Sequence, residues 1–398
     1  MTTRRNLLLF AGSALVLGGC RETAQAAPTT PTAPDVLLAA SDRGLLRLGP
    51  AGEQVLGPAA AGYDGAHLYA ARPGGLDRVD PASGTAVRSA ALADGWIPRV
   101  VSTDGRACAL SRTGASERPA ARARTRLLIT GPGGVSERDL AGVIEPDAFT
   151  ADGTGLFVLE WLPAAAPDHY RVRLLDLATG EVQPLSTRAK TPLPPGAEEE
   201  MRGDGRQAVL SADRAMLFTL YTHQPGHRHT RDLLSGRPGG AHAFVHVLHL
   251  SERWAYCLDL PHPFGEGPAA GHALAADGRT LFVADLNAGK LAYAGPESLA
   301  IERVVDVPPV PESTAALALT ADGRVLIGAG GVTVLDRASG RQTGRWELPG
   351  AVRGLALSRD GGRVYAGGTG RVTWLDAATG TRSGEVAVPG LIALRHVV

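Results

Sequence analysis

Short apolar runs recur along the whole chain, each entered through a small polar turn. They include Leu68-Tyr69, Leu156-Phe157-Val158-Leu159, Leu217-Phe218, Leu281-Phe282-Val283, Val325-Leu326-Ile327 and Val364-Tyr365. They lack the 3.6-residue period of an amphipathic helix and are short enough to be strands. The turn before each run follows one phrase: a small or hydroxyl residue, any residue, Asp, usually Gly. Its Asp falls at Asp64, Asp104, Asp152, Asp213, Asp277, Asp322 and Asp360; Gly follows all but Asp213, which is followed by Arg214. Asp-Gly between apolar runs predicts a tight primed turn, because such a turn needs positive φ at its centre. A second phrase, Asp, two residues, Ser or Thr, Gly, spans Asp80 to Gly84, Asp176 to Gly180, Asp336 to Gly340 and Asp376 to Gly380. It predicts a further turn, with the Asp side chain bonding its own backbone and Gly in the left-handed position.

Each unit therefore holds four antiparallel strands, a to d, with a–b and c–d joined by these two turns. A period of roughly 40–60 residues with four strands per unit predicts an all-β protein, a single β-propeller of four-stranded blades. The chain ends decide the count. Gly390-Leu391-Ile392-Ala393-Leu394 reads as strand a with no b after it. Val36-Leu37-Leu38-Ala39-Ala40, Gly44-Leu45-Leu46-Arg47-Leu48 and Glu53-Gln54-Val55-Leu56 read as b, c and d with no a before them. The two ends would share one blade and hide the edge strands that an open ring would expose. Seven internal turns plus that closing blade give eight blades; seven would require one irregular unit.

This register also assigns the loops. The a–b and c–d turns lie on one side of the disc, the b–c and d–a connections on the other. The long connections, residues 112–125, 162–169, 187–206, 222–241 and 261–271, all fall on the second side. Insertions confined to one side of a repeat array point to a binding face. Neutral drift is the competing explanation, since long surface loops cost little stability.

Those loops carry the notable chemistry. Eight of the 11 histidines lie between 223 and 272: His223, His227, His229, His242, His246, His249, His262 and His272. His223, His227, His229 and His242 are candidate imidazole ligands for Zn or Cu. No Cys, Asp or Glu spacing completes a known metal motif, so a loop of solvated histidines is the simpler reading. Glu198-Glu199-Glu200 reads as a solvated run that could also contact a cation or a basic partner. Glu160 and Trp161 close a strand b at the rim, and His169 closes the loop that follows. With Glu198, Glu199, His223, His227 and His229 they make up the candidate ligand face. Trp346 and Trp374 fit the apolar strand pattern and are expected in the core. Cys108 and Cys257 fall in different units at different strand positions, which predicts buried free thiols rather than a disulfide.

Composition adds a compartment and removes a partner. Lys+Arg and Asp+Glu are both 40, a formal net charge of 0, and no basic patch stands out, which argues against nucleic acid. Residues 1–19 read as an export signal: Arg4-Arg5, then an apolar run from Leu7 to Val16 that is too short to span a bilayer. Leu17-Gly18-Gly19-Cys20 resembles the lipobox of bacterial lipoproteins, which implies a lipid on Cys20. Thr3-Arg4-Arg5-Asn6-Leu7-Leu8 resembles a twin-arginine signal, and an ordinary secretory signal cut near Ala24 to Ala27 is the alternative. Residues 20–35 hold the lipidated Cys and an Ala/Thr/Pro-rich tether, and residues 36–398 the propeller domain.

Thr320-Ala321-Asp322-Gly323-Arg324-Val325-Leu326 and Ser358-Arg359-Asp360-Gly361-Gly362-Arg363-Val364-Tyr365-Ala366 resemble the repeat phrase of bacterial YVTN-type, or YncE-like, β-propellers. The phrases at Asp336 to Gly340 and Asp376 to Gly380 resemble the one that follows it in that family. The resemblance covers roughly residues 60–390, best in the last two units. It implies an extracytoplasmic propeller. The family's phrases are structural, so no catalytic residue carries over. Related propellers include lactonases with acidic metal ligands around the channel, and no such set can be placed here.

Two functions remain open. One is a monomeric, lipid-anchored scaffold in the bacterial cell envelope that holds a protein or extracellular ligand on its loop side and meets the membrane only through the lipid. The other is a metal-dependent hydrolase or redox-associated propeller using the 223–272 region. A serine-hydrolase elbow and a nucleotide-binding loop are both missing.

Overall fold

The computed structural model describes residues 32–398, apart from 117, 192, 195, 203–205, 241 and 312. The export signal, Cys20 and most of the tether lie outside the described residues. The strands form eight four-stranded antiparallel sheets, the predicted eight-bladed propeller. We number blades 1 to 7 by their internal turns, Asp64 to Asp360; blade 8 closes the ring.

The apolar runs are continuous because each blade is buried on both faces. In blade 5, Leu281 and Val283 face a core shared with blade 4, while Phe282 faces a core shared with blade 6. The buried apolar side chains divide the same way all around the ring: each cluster joins two consecutive blades, and the last joins blade 8 to blade 1. Trp346 and Trp374 belong to these cores, as expected.

The a–b turn differs from the primed turn that the sequence predicts. Gly takes positive φ, from 68° to 90° across the six Gly-containing turns, but the Asp before it does not. The Asp instead accepts backbone N–H groups: in blade 7, Gly362 donates to Asp360 Oδ1 at 2.9 Å. In blade 4 Arg214 itself occupies the left-handed position, at φ 61°. The c–d turns match expectation. Gly84, Gly180, Gly340 and Gly380 have φ between 72° and 79°, and each leading Asp accepts the N–H of the Ser or Thr three residues on. Gly380 is needed twice over, because a Cβ there would stand 2.2 Å from the Trp346 ring.

Blade 8 is shared by the two chain ends. Leu391–Val397 is strand a, and Leu37–Ser41, Gly44–Gly49 and Gly52–Gly57 are b, c and d. Leu37 pairs with Val397 and Ser41 with Leu391. The Asp35 carboxylate accepts from Tyr365 Oη at 2.6 Å and Arg363 Nη1 at 3.0 Å, clasping the first strand to blade 7. A strand b starts on the Asp-turn side, so Val36 and Val398, bonded at 2.9 Å, both lie on that side.

Candidate functional site

The five long connections leave from the loop side, as the register requires, and those around blades 3 and 4 are folded inward. Blade 3 comprises Val143–Phe149, Gly155–Leu162, His169–Asp176 and Val182–Pro184; blade 4 comprises Gln207–Leu210, Met216–Tyr221, Phe244–His249 and Ala255–Asp259. Residues 187–206 pass from strand d of blade 3 to strand a of blade 4, and residues 222–241 join strands b and c of blade 4.

The histidines of this loop are buried, not solvated. His227 and His229 side chains are 3% and 2% exposed. The rings stand edge to face, 4.6 Å apart, and His227 stacks on Phe244 at 4.5 Å. A short helix, Thr230–Ser235, holds them in place. Asp232 accepts the His229 N–H at 3.1 Å, and Gly236 ends the helix in the left-handed conformation at φ 68°. The alternation of residues 227 and 229 in an extended approach brings both rings onto Glu199.

Glu199 is the hub. Its Oε1 accepts the Thr230 N–H at 2.7 Å. Its Oε2 lies 2.9 Å from Cys257 Sγ, 3.4 Å from His229 Nδ1 and 3.6 Å from His227 Nε2. Cys257 and Asp259 are two apart on strand d and share a face; His229 Nε2 meets Asp259 Oδ1 at 2.5 Å, and Arg231 pairs with the other oxygen of that carboxylate. The charges follow from these contacts. Burial opposes ionisation of Glu199, but the neighbouring His227 and His229 imidazoles outweigh it and keep its carboxyl well below the usual range. Burial likewise opposes imidazolium at His229, but Asp259 and Glu199 hold its pKa up at about 9. Burial, then the Glu199 charge, pushes the Cys257 thiol well above its ordinary value. A donor set of two imidazoles, one thiol and one carboxylate is one that can hold a metal. A cavity of about 50 Å³, lined in part by Glu198, Glu199, Met201, Thr230 and His246, adjoins it.

The other candidates fall around this hub or away from it. Glu198 is 11% exposed and pairs with Arg173 at 3.1 Å; Glu160 pairs with Arg173 at 3.2 Å, and Glu200 with Arg171 at 3.1 Å. His169 lies between Asp168 and Glu200. The glutamate run is thus an ion-paired strap across strand c of blade 3 rather than a solvated face. Trp161 is buried against Tyr170, ring centroids 4.6 Å apart. His223 and His242 lie beside each other but outside the hub: His223 contacts Thr222, and His242 Nε2 meets the Gly265 carbonyl at 2.9 Å. His272 is fully buried against Asp285 at 2.9 Å, where it anchors the 261–271 connection. Both described cysteines are free and buried, as expected.

Cys257, Asp259 and Arg231 are absent from the sequence candidates. The one local signal for the first two is Cys-x-Asp on a strand, which turns a thiol and a carboxylate to one face. Nearer the axis lies a second polar group that sequence reasoning missed. Arg206 binds both Asp147 oxygens at 2.7 and 2.8 Å, and Tyr63 Oη of blade 1 donates to the Asp147 carbonyl at 3.0 Å. Glu145, two residues before Asp147, pairs with Arg99 and Arg122 at 2.6 and 2.7 Å.

No protein-family profile and no curated protein matches this chain. Solved structures do. AztD from Citrobacter koseri is 11% identical with a TM-score of 0.55, covering 91% of this chain and 96% of that one. The apo form of the same protein gives 10% identity, a TM-score of 0.53, and 91% and 97% coverage. Saccharomyces cerevisiae Sqt1 gives 12% identity, a TM-score of 0.50, and 91% and 88% coverage. At these identities the likeness is one of fold: the chain shares the β-propeller architecture over nearly its whole length.

Proposed function

We propose that this protein is a lipid-anchored, extracytoplasmic propeller that acts as a binding scaffold, with its ligand or partner held on the loop side of blades 2 to 5. One observation carries the reading. All five long connections leave from one side, and there they gather buried ionisable groups, whereas the opposite side repeats two short turns bonded to themselves. A rigid ring that presents variable loops on one side is a common way to build a recognition surface. The zero formal charge favours a protein or small ligand over nucleic acid. The lipobox at Leu17 to Cys20 supports the anchor and the envelope location.

Photo-crosslinking in cells tests this. A photoreactive residue is placed at exposed Ala165 or Ser235 on the loop side, and at exposed Ala82 or Ala338 on the turn side. Adducts confined to positions 165 and 235 are expected. Adducts only at 82 and 338, or equal yields on both sides, would reject the assignment.

A further inference from the structure

We propose that Glu199, His227, His229 and Cys257 form a closed four-ligand Zn²⁺ site, one ion per chain. The proposal rests on reading the loop side as the working side and names the chemical class of a ligand held there.

Three of the four donors, those of Glu199, His229 and Cys257, already cluster as a coordination shell would, and His227 stands beside Glu199, from where it would have to close on the ion. Zinc bonds of about 2.0–2.3 Å in a tetrahedron set ligand-to-ligand edges of about 3.3–3.7 Å. From Glu199 Oε2, His229 Nδ1 is at 3.4 Å and His227 Nε2 at 3.6 Å. Cys257 Sγ, at 2.9 Å, needs to open by only a fraction of an ångström. Donor atoms of Glu199, His229 and Cys257 all lie within 4.8 Å of one another.

A separate observation points to a missing ligand. His227 Nε2 is buried, aimed at this group, and has no hydrogen-bond partner. An orphaned buried nitrogen is costly; coordination would satisfy it. The surroundings also prepare each donor. Asp259 accepts the hydrogen bond donated by His229 Nε2–H and so leaves Nδ1 to face the ion, the usual arrangement behind a metal-bound imidazole. The Thr230 N–H occupies Glu199 Oε1 and leaves Oε2 for the ion.

The donor set selects the metal class. Two nitrogens, one sulfur and one oxygen in a tetrahedron suit Zn²⁺; Mg²⁺ and Ca²⁺ demand more oxygens. On ligation the Cys257 thiol proton and the His229 Nδ1 proton both leave to solvent, and sulfur–zinc and nitrogen–zinc bonds replace the contacts those two protons made with Glu199. Four protein ligands leave no open position for a substrate water, so the site is one for holding metal rather than for hydrolysis.

The test uses the full chain, purified in detergent without a histidine tag and stripped of metal. Titration with ZnCl₂ should give one ion per chain that survives gel filtration. Cys257→Ser/His227→Ala should weaken binding at least ~100-fold, and Asp259→Asn, which removes only a positioning carboxylate, about 10–100-fold. Cobalt(II) should give a thiolate-to-metal charge-transfer band in the wild type that disappears in Cys257→Ser. Circular dichroism checks the fold; if the double variant does not fold, the cobalt band of the wild type decides. Less than a tenth of an ion per wild-type chain, equal binding by a folded double variant, or a cobalt complex without the thiolate band would each overturn the assignment. The two readings fail separately. Zinc binding without loop-side adducts sinks the recognition surface; adducts without zinc sink the metal site.

Discussion

At the residue scale, the repeated phrase is a hydrogen-bonding device. In the five turns that carry a hydroxyl two residues before the Asp, it donates to that carboxylate and accepts the N–H that opens strand b. Ser358 does so at 2.6 Å to Asp360 and 2.8 Å from Arg363. Ser102, Thr150, Ser211 and Thr320 repeat it. Ser358→Ala would leave a donor short of its acceptor at a buried corner and should destabilise by about 1–3 kcal/mol, read from urea unfolding. An unchanged midpoint would show that water takes over the acceptor role. The phrase was legible because every partner lies within five residues. Its backbone geometry was less so: Asp-Gly alone suggested two positive φ angles, while Asp side-chain bonding allows the turn to need only one. Arg214 shows that even this one does not require Gly.

At the scale of strands and loops, the closing blade was legible because the two ends of the chain carried complementary unfinished patterns. The pairing of Leu37–Ser41 with Leu391–Val397 makes the ring depend on its last strand. Deleting residues 391–398 should expose the edge of strand b and the cores beside it. The expected result is a large fall in melting temperature with aggregation, measured by calorimetry and light scattering; an unchanged melting temperature would show that the ring holds without its seal.

The same strand carries a pH dependence. Burial, then Arg395, depresses the His396 pKa from 6.5 to about 4, so the folded state prefers the neutral ring. That contribution is fully present above about pH 6.5 and is lost as pH falls toward 4, up to about 3 kcal/mol. His396→Gln should flatten this part of the stability–pH curve.

The folded 187–206 and 222–241 connections, by contrast, were not legible. Polar, Gly- and Pro-rich segments normally stay in water. Nothing local in Glu198-Glu199-Glu200 or His227-Arg228-His229 says that each completes the other's hydrogen bonding across 30 residues of sequence.

At the scale of the molecule, eight cores lie between blades rather than one at the centre. The continuous apolar strands announced this, since a strand with one wet face would alternate. What joins blades that are not neighbours was hidden. Tyr63 in blade 1 reaches Asp147 in blade 3, and Arg214 in blade 4 reaches Asp64 in blade 1 at 2.6 Å. Such contacts depend on ring closure, which places residues 84 and 150 positions apart side by side.

The ring is entered at Val36 and left at Val398 on the Asp-turn side, where their backbones are bonded at 2.9 Å. A tag fused after Val398 would therefore emerge beside the repeated turns and stand clear of the long loops on the opposite side.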